Sequence, residues 1–263
     1  MIGVAQGPLL AMHGISKRFG AVEALTDVDL EVHAHEVVAL VGDNGAGKST
    51  LAKMVAGALP PDSGLIEIDG EAVTIPTPAA AYNLGVATVF QDFALCENLD
   101  VTANLFLGRE MHGALRRSDE EMERITREVL HRLASRIPSA RTPLAALSAG
   151  QRQSVAIART LIGSPRIVVL DEPTASLSVA QTAEVLTHIE RLREMGLGII
   201  LISHNMTDVR AVADRIEVLR LGRNNGSFST QRASYEEIIA AITGATRAEP
   251  PWQPSGAPLS AVG

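Results

Sequence analysis

Gly42-Asp43-Asn44-Gly45-Ala46-Gly47-Lys48-Ser49-Thr50 is the stretch on which the reading of the fold turns. It follows Val37-Val38-Ala39-Leu40-Val41, an apolar run of strand length, and precedes Leu51-Ala52-Lys53-Met54-Val55-Ala56, which reads as the first turns of a helix. Strand, glycine-rich loop, Gly-Lys-Ser and helix form the pattern of a phosphate-binding loop, or P-loop, with the flanks that such a loop requires. Gly42, Gly45 and Gly47 let the backbone curl so that successive N–H groups point at phosphate oxygens, where a Cβ would crowd. The positive end of the following helix adds to that field. Lys48 supplies a mobile point charge for the β- and γ-phosphates, and Ser49 offers a hydroxyl to Mg²⁺. The ligand implied is a nucleoside triphosphate.

Before the loop, residues 9–15 and 24–32 alternate apolar and polar, as half-buried antiparallel strands do. Lys17-Arg18-Phe19-Gly20 lies between them and reads as a turn carrying an isolated aromatic. After the loop's helix, Pro60-Pro61-Asp62-Ser63-Gly64 is a strong turn signal, followed by strands at 65–70 and 71–73. A short helix at 79–84 leads to Val86-Ala87-Thr88-Val89-Phe90, an apolar strand ending at Gln91.

Residues 92–159 read as helical. Ser118-Asp119-Glu120-Glu121 is a capping box, with Met122, Ile125, Val129 and Leu133 following on one face. Strands resume at Ile167-Val168-Val169-Leu170 and Gly198-Ile199-Ile200-Leu201-Ile202, with a charged helix at 181–194 between them. Strand, crossover and strand make the central sheet parallel and buried. Residues 216–221 alternate again and are expected to close the sheet, and 234–242 form a last capped helix. The expected class is α/β: a P-loop NTPase core at 1–91 and 160–244, with a parallel sheet and an antiparallel β layer, and a helical subdomain at 92–159 inserted in it. From Ala245 the Pro, Gly and Ser content describes a flexible C-terminal tail, 245–263.

Aromatics are only 3% of the chain, so the core must be built from Ala, Val, Ile and Leu. The formal net charge of -7 argues against holding nucleic acid by charge. One cysteine, Cys96, permits no internal disulfide and no cysteine metal cluster, and suits a reducing compartment. Residues 1–11 lack the basic lead-in of a signal peptide, and no run approaches the roughly 18 apolar residues of a membrane span. Service to a membrane would run through a partner on the cytoplasmic side.

Two further stretches carry chemistry. Ile167-Val168-Val169-Leu170-Asp171-Glu172 delivers two carboxylates to the C-terminal edge of a strand, where open α/β sheets bind ligands. Asp171 can hold Mg²⁺, directly or through water, and Glu172 can orient and deprotonate an attacking water. Leu147-Ser148-Ala149-Gly150-Gln151 opens a helix in which Ser148 is a natural N-cap and the small residues leave the N-terminus bare for an anion.

Taken in order, the P-loop, Leu-Ser-Ala-Gly-Gln, Asp-Glu-Pro-Thr and Ile-Ser-His form a set that closely resembles the nucleotide-binding subunit of ATP-binding cassette (ABC) transporters, over about residues 9–244. The resemblance implies a role for each matching residue. Phe19 would stack on adenine, and Gln91 would reach Mg²⁺ and begin the loop that faces the membrane subunit. Ser148, Ala149, Gly150 and Gln151 match the signature that completes the site of the opposite subunit in a head-to-tail dimer, and His204 matches the switch histidine on the γ-phosphate. Ala149 stands where a glycine is usual, and Ser178 where most members carry Asp.

Residues 98–110, Ser203-His204-Asn205-Met206 and 213–216 look like the ribose-, xylose- and fructose-type importers. The implied protein is the ATPase subunit of a bacterial monosaccharide importer, peripheral to the inner membrane. Its partners would be a second copy of itself, a permease contacting 93–107 and, indirectly, a periplasmic sugar-binding protein. A soluble cassette ATPase acting on nucleic acid or ribosomes is the alternative. The acidic charge, the single cassette and the lack of a coiled-coil insertion stand against it.

Overall fold

The computed structural model describes residues 7–90, 94–111 and 118–245. The chain opens with an antiparallel hairpin of β1 (Leu10–Phe19) and β2 (Val22–Val32). β3 (Val37–Val41) and α1 (Lys48–Val55) then frame the glycine loop. β4 (Ser63–Ile68), β5 (Glu71–Val73), α2 (Pro78–Asn83) and β6 (Val86–Val89) follow. The next elements are helical: α3 (Val101–Leu105), α4 (Asp119–Arg132) and α5 (Ala149–Thr160). The chain returns to the sheet with β7 (Ile167–Asp171), crosses over through α6 (Val179–Glu194) and enters β8 (Gly198–Ile202). α7 (Met206–Val212), β9 (Arg215–Arg220), β10 (Arg223–Ser229) and α8 (Tyr235–Thr243) complete it.

One sheet has the order β2-β1-β4-β5 and is antiparallel; the other has the order β10-β9-β3-β8-β7-β6 and is parallel except at β10. Successive residues of a strand point to opposite faces, and β3 shows the consequence. Val38 and Leu40 pack with Leu10, Met12 and Ile15 of the antiparallel layer and with Leu51 and Met54 of α1. Val37, Ala39 and Val41 pack on the other side with Val155 and Ile157 of α5 and Val185 and Ile189 of α6. The parallel sheet is therefore a middle layer covered on both faces, which is why its central strands read as unbroken apolar runs. No helix among the described residues is long and apolar enough to cross a membrane.

An ion network ties the two sheets together. Arg215 on β9 donates from Nε to Glu36 Oε1 at 2.9 Å and from Nη2 to the Glu31 carbonyl at 2.6 Å, and it pairs with buried Glu217.

Three local expectations change. The sheet is closed by β10, not by the strand at 216–221; Arg223-Asn224-Asn225-Gly226-Ser227 is too polar to show a strand pattern and is held as an edge by pairing with β9. Ser118 sits at the N-cap of α4 without a side-chain cap bond, and the reciprocal half of the box is missing too: the Ser118 N–H donates to the Met111 carbonyl at 2.9 Å and the Glu121 carboxylate accepts from Arg124 at 2.7 Å. Phe19 is the last residue of β1, with the turn at Gly20 and Ala21.

Candidate active site

The glycine loop is shaped by its neighbours. Gly42 leaves β3 with φ 150°, and a Cβ there would overlap the Leu219 carbonyl of β9. Gly47 has φ 104° and would bring a Cβ to 2.8 Å from the Ala24 carbonyl. Only glycine fits such close backbone approaches at positive φ. Lys48, the first residue of α1, folds back so that Nζ donates to the carbonyls of Gly42 at 2.7 Å and Asp43 at 2.9 Å. Burial holds its ammonium below the ordinary lysine value, against the opposing pull of Glu172, Asp43 and Asp171.

The carboxylates arrive from β7. Burial pushes the Asp171 carboxyl up, the neighbouring Glu172 adds to this, and Lys48 and Lys53 oppose it. Glu172 has a left-handed backbone, φ 52°, and its N–H donates to the Ile202 carbonyl at 2.9 Å. A non-glycine residue in that region costs about 1–2 kcal/mol, so the turn is held by its surroundings. It brings Glu172 Oε2 within 2.8 Å of His204 Nδ1, which stands between β8 and α7.

Lys48, Asp171 and Glu172 face one cleft of about 430 Å³; His204 is not among its lining residues and reaches it only through Glu172. It is lined by Asn44, Gly45, Ala46, Gly47, Lys48, Ser49 and Thr50 of the loop and α1, by Asp171, Glu172 and Ile202 at the strand ends, and by Phe19. Phe19 is 49% exposed, an uncommon state for a phenyl ring, with Lys17 Nζ 6.0 Å from its centroid. Gly42 and Asp43 join through their bonds to Lys48. Gln91 lies outside the described residues.

Ser148, Ala149, Gly150 and Gln151 are not among the residues lining this cleft. They form the tip of α5, where Ser148 Oγ accepts from the Gln151 N–H at 3.2 Å and Gln151 Oε1 accepts from the Ser148 N–H at 3.0 Å. Ser148 and Ala149 are exposed.

Val22, Glu23 and Ala24 also line the cleft, and the sequence pattern alone does not single them out. A signal exists: Phe19 and Val22 are partners across the β1–β2 hairpin, so an aromatic at one strand end brings the facing strand end with it. A second groove, about 390 Å³, runs along Ala81 and Tyr82 of α2, Val86–Val89 of β6 and Ala156, Arg159 and Thr160 of α5. Ala94, Leu95 and Arg109 line it too, with the Arg109 guanidinium 3.8 Å from the Tyr82 ring centroid. Phe93, the first residue of the expected permease contact, lies outside the described residues.

A lysine-bearing glycine cradle facing paired carboxylates at the C-terminal edge of a parallel sheet defines a P-loop ATPase. The chain belongs to the ABC transporter family, whose model matches residues 25–175, as one of its ATPase cassettes. It is 40% identical to the xylose/arabinose import ATP-binding protein XylG of Sulfolobus acidocaldarius, over 89% of this chain and 94% of that one. It is also 40% identical to the fructose import ATP-binding protein FrcA of Rhizobium meliloti, over 94% of this chain and 98% of that one. Among solved structures, a nucleotide-free ATP-binding cassette from an ABC transporter superposes with a TM-score of 0.78 at 26% identity, covering 90% of this chain and 95% of that one. A dimeric post-hydrolysis cassette bound to ADP and Pi superposes with a TM-score of 0.71 at 26% identity, covering 84% and 98%.

Proposed function

We propose that this chain is the ATP-hydrolysing subunit of a monosaccharide importer, working as a head-to-tail dimer at the cytoplasmic face of the inner membrane. The observation that carries the reading is the meeting of Lys48, Asp171 and Glu172 around one cleft, with His204 bonded to Glu172, while the Ser148–Gln151 tip is not among the residues lining it. A tip with exposed N-terminal residues and no role in its own cleft suits the phosphate of a second copy. The 40%-identical sugar-import relatives support the cargo class, and the dimeric cassette supports the assembly.

In this reading Phe19 stacks on the adenine, the amides of residues 42–50 and Lys48 hold the phosphates, and Glu172 orients the attacking water and accepts its proton. His204 and the partner copy's signature tip stabilise the charge that develops on the γ-phosphate. Ser49 and Asp171 are hard oxygen donors that both line the cleft, a set that suits Mg²⁺ together with a triphosphate, with Gln91 as a further donor. Held by these residues, Mg²⁺ would supply neutralising charge to the triphosphate. The nucleotide-holding core corresponds to 1–91 and 160–244, and the helical signature unit to 92–159. The groove beside Tyr82, Ala94, Leu95 and Arg109 would receive the permease, and a periplasmic binding protein would select the sugar.

The test is E172Q. It should bind ATP as the native chain does, lose turnover by about 10²–10³ and accumulate as an ATP-loaded dimer in size-exclusion chromatography. Native turnover by E172Q overturns Glu172 as the base. Membrane vesicles carrying the chain with its permease and binding protein should hydrolyse ATP faster when the cognate monosaccharide is added; RNA-dependent turnover instead would move the chain to the soluble class.

A further inference from the structure

His188 is fully buried in α6, and both of its ring nitrogens are engaged. Nδ1 lies 2.9 Å from the Leu133 carbonyl at the end of α4; a carbonyl can only accept, so Nδ1 carries the hydrogen and donates. Nε2 lies 2.8 Å from Ser154 Oγ, itself wholly buried on α5. Burial holds the imidazole below the ordinary histidine value, so the neutral ring accepts the Ser154 hydrogen at Nε2. Glu184, on the same face of α6 with Oε1 3.9 Å from Nε2, is the charged group facing the ring; α5 presents Ser154 to it and the α4 end presents the Leu133 carbonyl.

Toward the start of α6, Gln181 meets the tip of α5. A Cβ on Gly150 would stand 2.7 Å from Gln181 Cγ and 2.8 Å from its Cβ, so the two first turns are in direct contact. Gln181 and His188 are seven residues apart and therefore lie on one face of α6. α6 thus holds α5 at two points, a steric stop at Gly150 and a hydrogen bond at Ser154, and two points fix the axial register of one helix on another. The Gly150 carbonyl lies 3.1 Å from Ser154 Oγ and can only accept, so it competes with Nε2 for the single hydroxyl hydrogen, and the hydroxyl stands between His188 and the residue against which the stop acts. α6 itself begins a short loop after Glu172.

We propose that His188 is a positioning residue: through Ser154 it sets the register of α5 on α6, and with it the place where the Ser148–Gln151 tip meets the nucleotide of a partner copy. This rests on the head-to-tail reading given above.

The full-length chain tests it, with turnover expressed per folded molecule and thermal unfolding recorded alongside. H188N keeps a donor for Leu133 and loses Ser154; H188Q keeps a polar atom for Ser154 and loses Leu133. H188N and S154A should lower kcat about tenfold while affinity for a fluorescent ATP analogue stays native, and H188Q should recover most of that turnover. A ring that only stabilises the fold predicts the opposite pattern, lowered unfolding temperatures with native kcat per folded molecule, and that result overturns the proposal. So does H188Q losing as much turnover as H188N. Should H188N not fold, S154A and H188Q decide together, because S154A also removes the contact with the Gly150 carbonyl: a tenfold loss in S154A with near-native turnover in H188Q supports the link, and native kcat in S154A overturns it. S148R separates the two levels: if it abolishes turnover while S154A and H188N are native, only the positioning role falls. If S148R is itself native, the head-to-tail site falls and this inference with it.

Discussion

His204 Nδ1 lies 2.8 Å from Glu172 Oε2, joining the loop after β8 to the end of β7. The two side chains differ in confinement: the imidazole is 72% exposed and the carboxylate only 17%. The carboxylate is held at the left-handed turn of Glu172, whereas the ring hangs exposed from a neighbouring loop outside the sheet. H204A should therefore cost about 10²-fold in kcat and, as a surface truncation, less than about 0.5 kcal/mol in stability. Steady-state hydrolysis and a urea melt on the same preparation check this; a large loss of stability would assign His204 to the fold instead.

The raised Asp171 carboxyl has a consequence for stability. Its ordinary value is 3.8, and the folded chain keeps the proton to higher pH than the unfolded chain does. The folded state then binds more protons than the unfolded one across that window, so stability falls as pH rises from about 3.8 through the folded value, and the cost persists at neutral pH. D171N removes that cost. It should unfold at a higher temperature than the native chain at about pH 7 without Mg²⁺, with the gain fading toward about pH 4, and it should lose turnover at every pH. Equal melting curves at neutral pH would mean that Lys48 and Lys53 already offset the burial of Asp171.

Much of this is legible in the sequence. The Val37–Val41 run and the glycine spacing after it specify a strand, loop and helix, because both the hydrophobic period and the turn chemistry are local. Asp171 and Glu172 read as a site because a buried strand must release its polar residues at its end. What stays hidden is set by distant contacts. β10 has no apolar pattern and exists as a strand because β9 offers it an edge. Val22 and Glu23 reach the cleft because they pair across the hairpin from Phe19 and its neighbour Arg18. His188 reads as one polar residue in a charged helix, and only the packing of α4 and α5 reveals it as buried with both nitrogens bonded.

The Arg215 network makes a stability prediction. Glu217 is buried, burial pushes its carboxyl up, and Arg215 provides the opposing charge. R215A would leave that carboxylate without its cation and also strip the Glu31 carbonyl and Glu36 of a donor. Breaking one side of such a pair costs about 3–5 kcal/mol. R215M combined with E217Q should recover part of the loss, because the buried side chain at 217 then carries no charge, while Glu36 still lacks its cation. Urea unfolding of the three chains gives the comparison, and a double variant no better than R215A would point to lost packing between the sheets as the cause.

Gly45 and Gly47 separate backbone strain from steric exclusion within one loop. Gly45 has φ 79°, and a methyl added there would meet no heavy atom within 4 Å, so G45A carries only the conformational penalty of a left-handed alanine, about 1–2 kcal/mol. Gly47 has φ 104°, and its methyl would stand 2.5 Å from Leu25 Cδ2 and 2.8 Å from the Ala24 carbonyl. Leu25 can rotate, but the Ala24 carbonyl belongs to β2 and cannot yield without moving the strand that lines the cleft beside Phe19. G47A should accordingly lower ATP affinity at least about tenfold more than G45A, since it displaces both the cradle and the β2 segment that abuts it. Titration of a fluorescent ATP analogue into the two variants measures the difference. Equal affinities would mean that the β1–β2 arm adjusts freely around the loop, and that the cradle's shape is not set by its contact with Ala24.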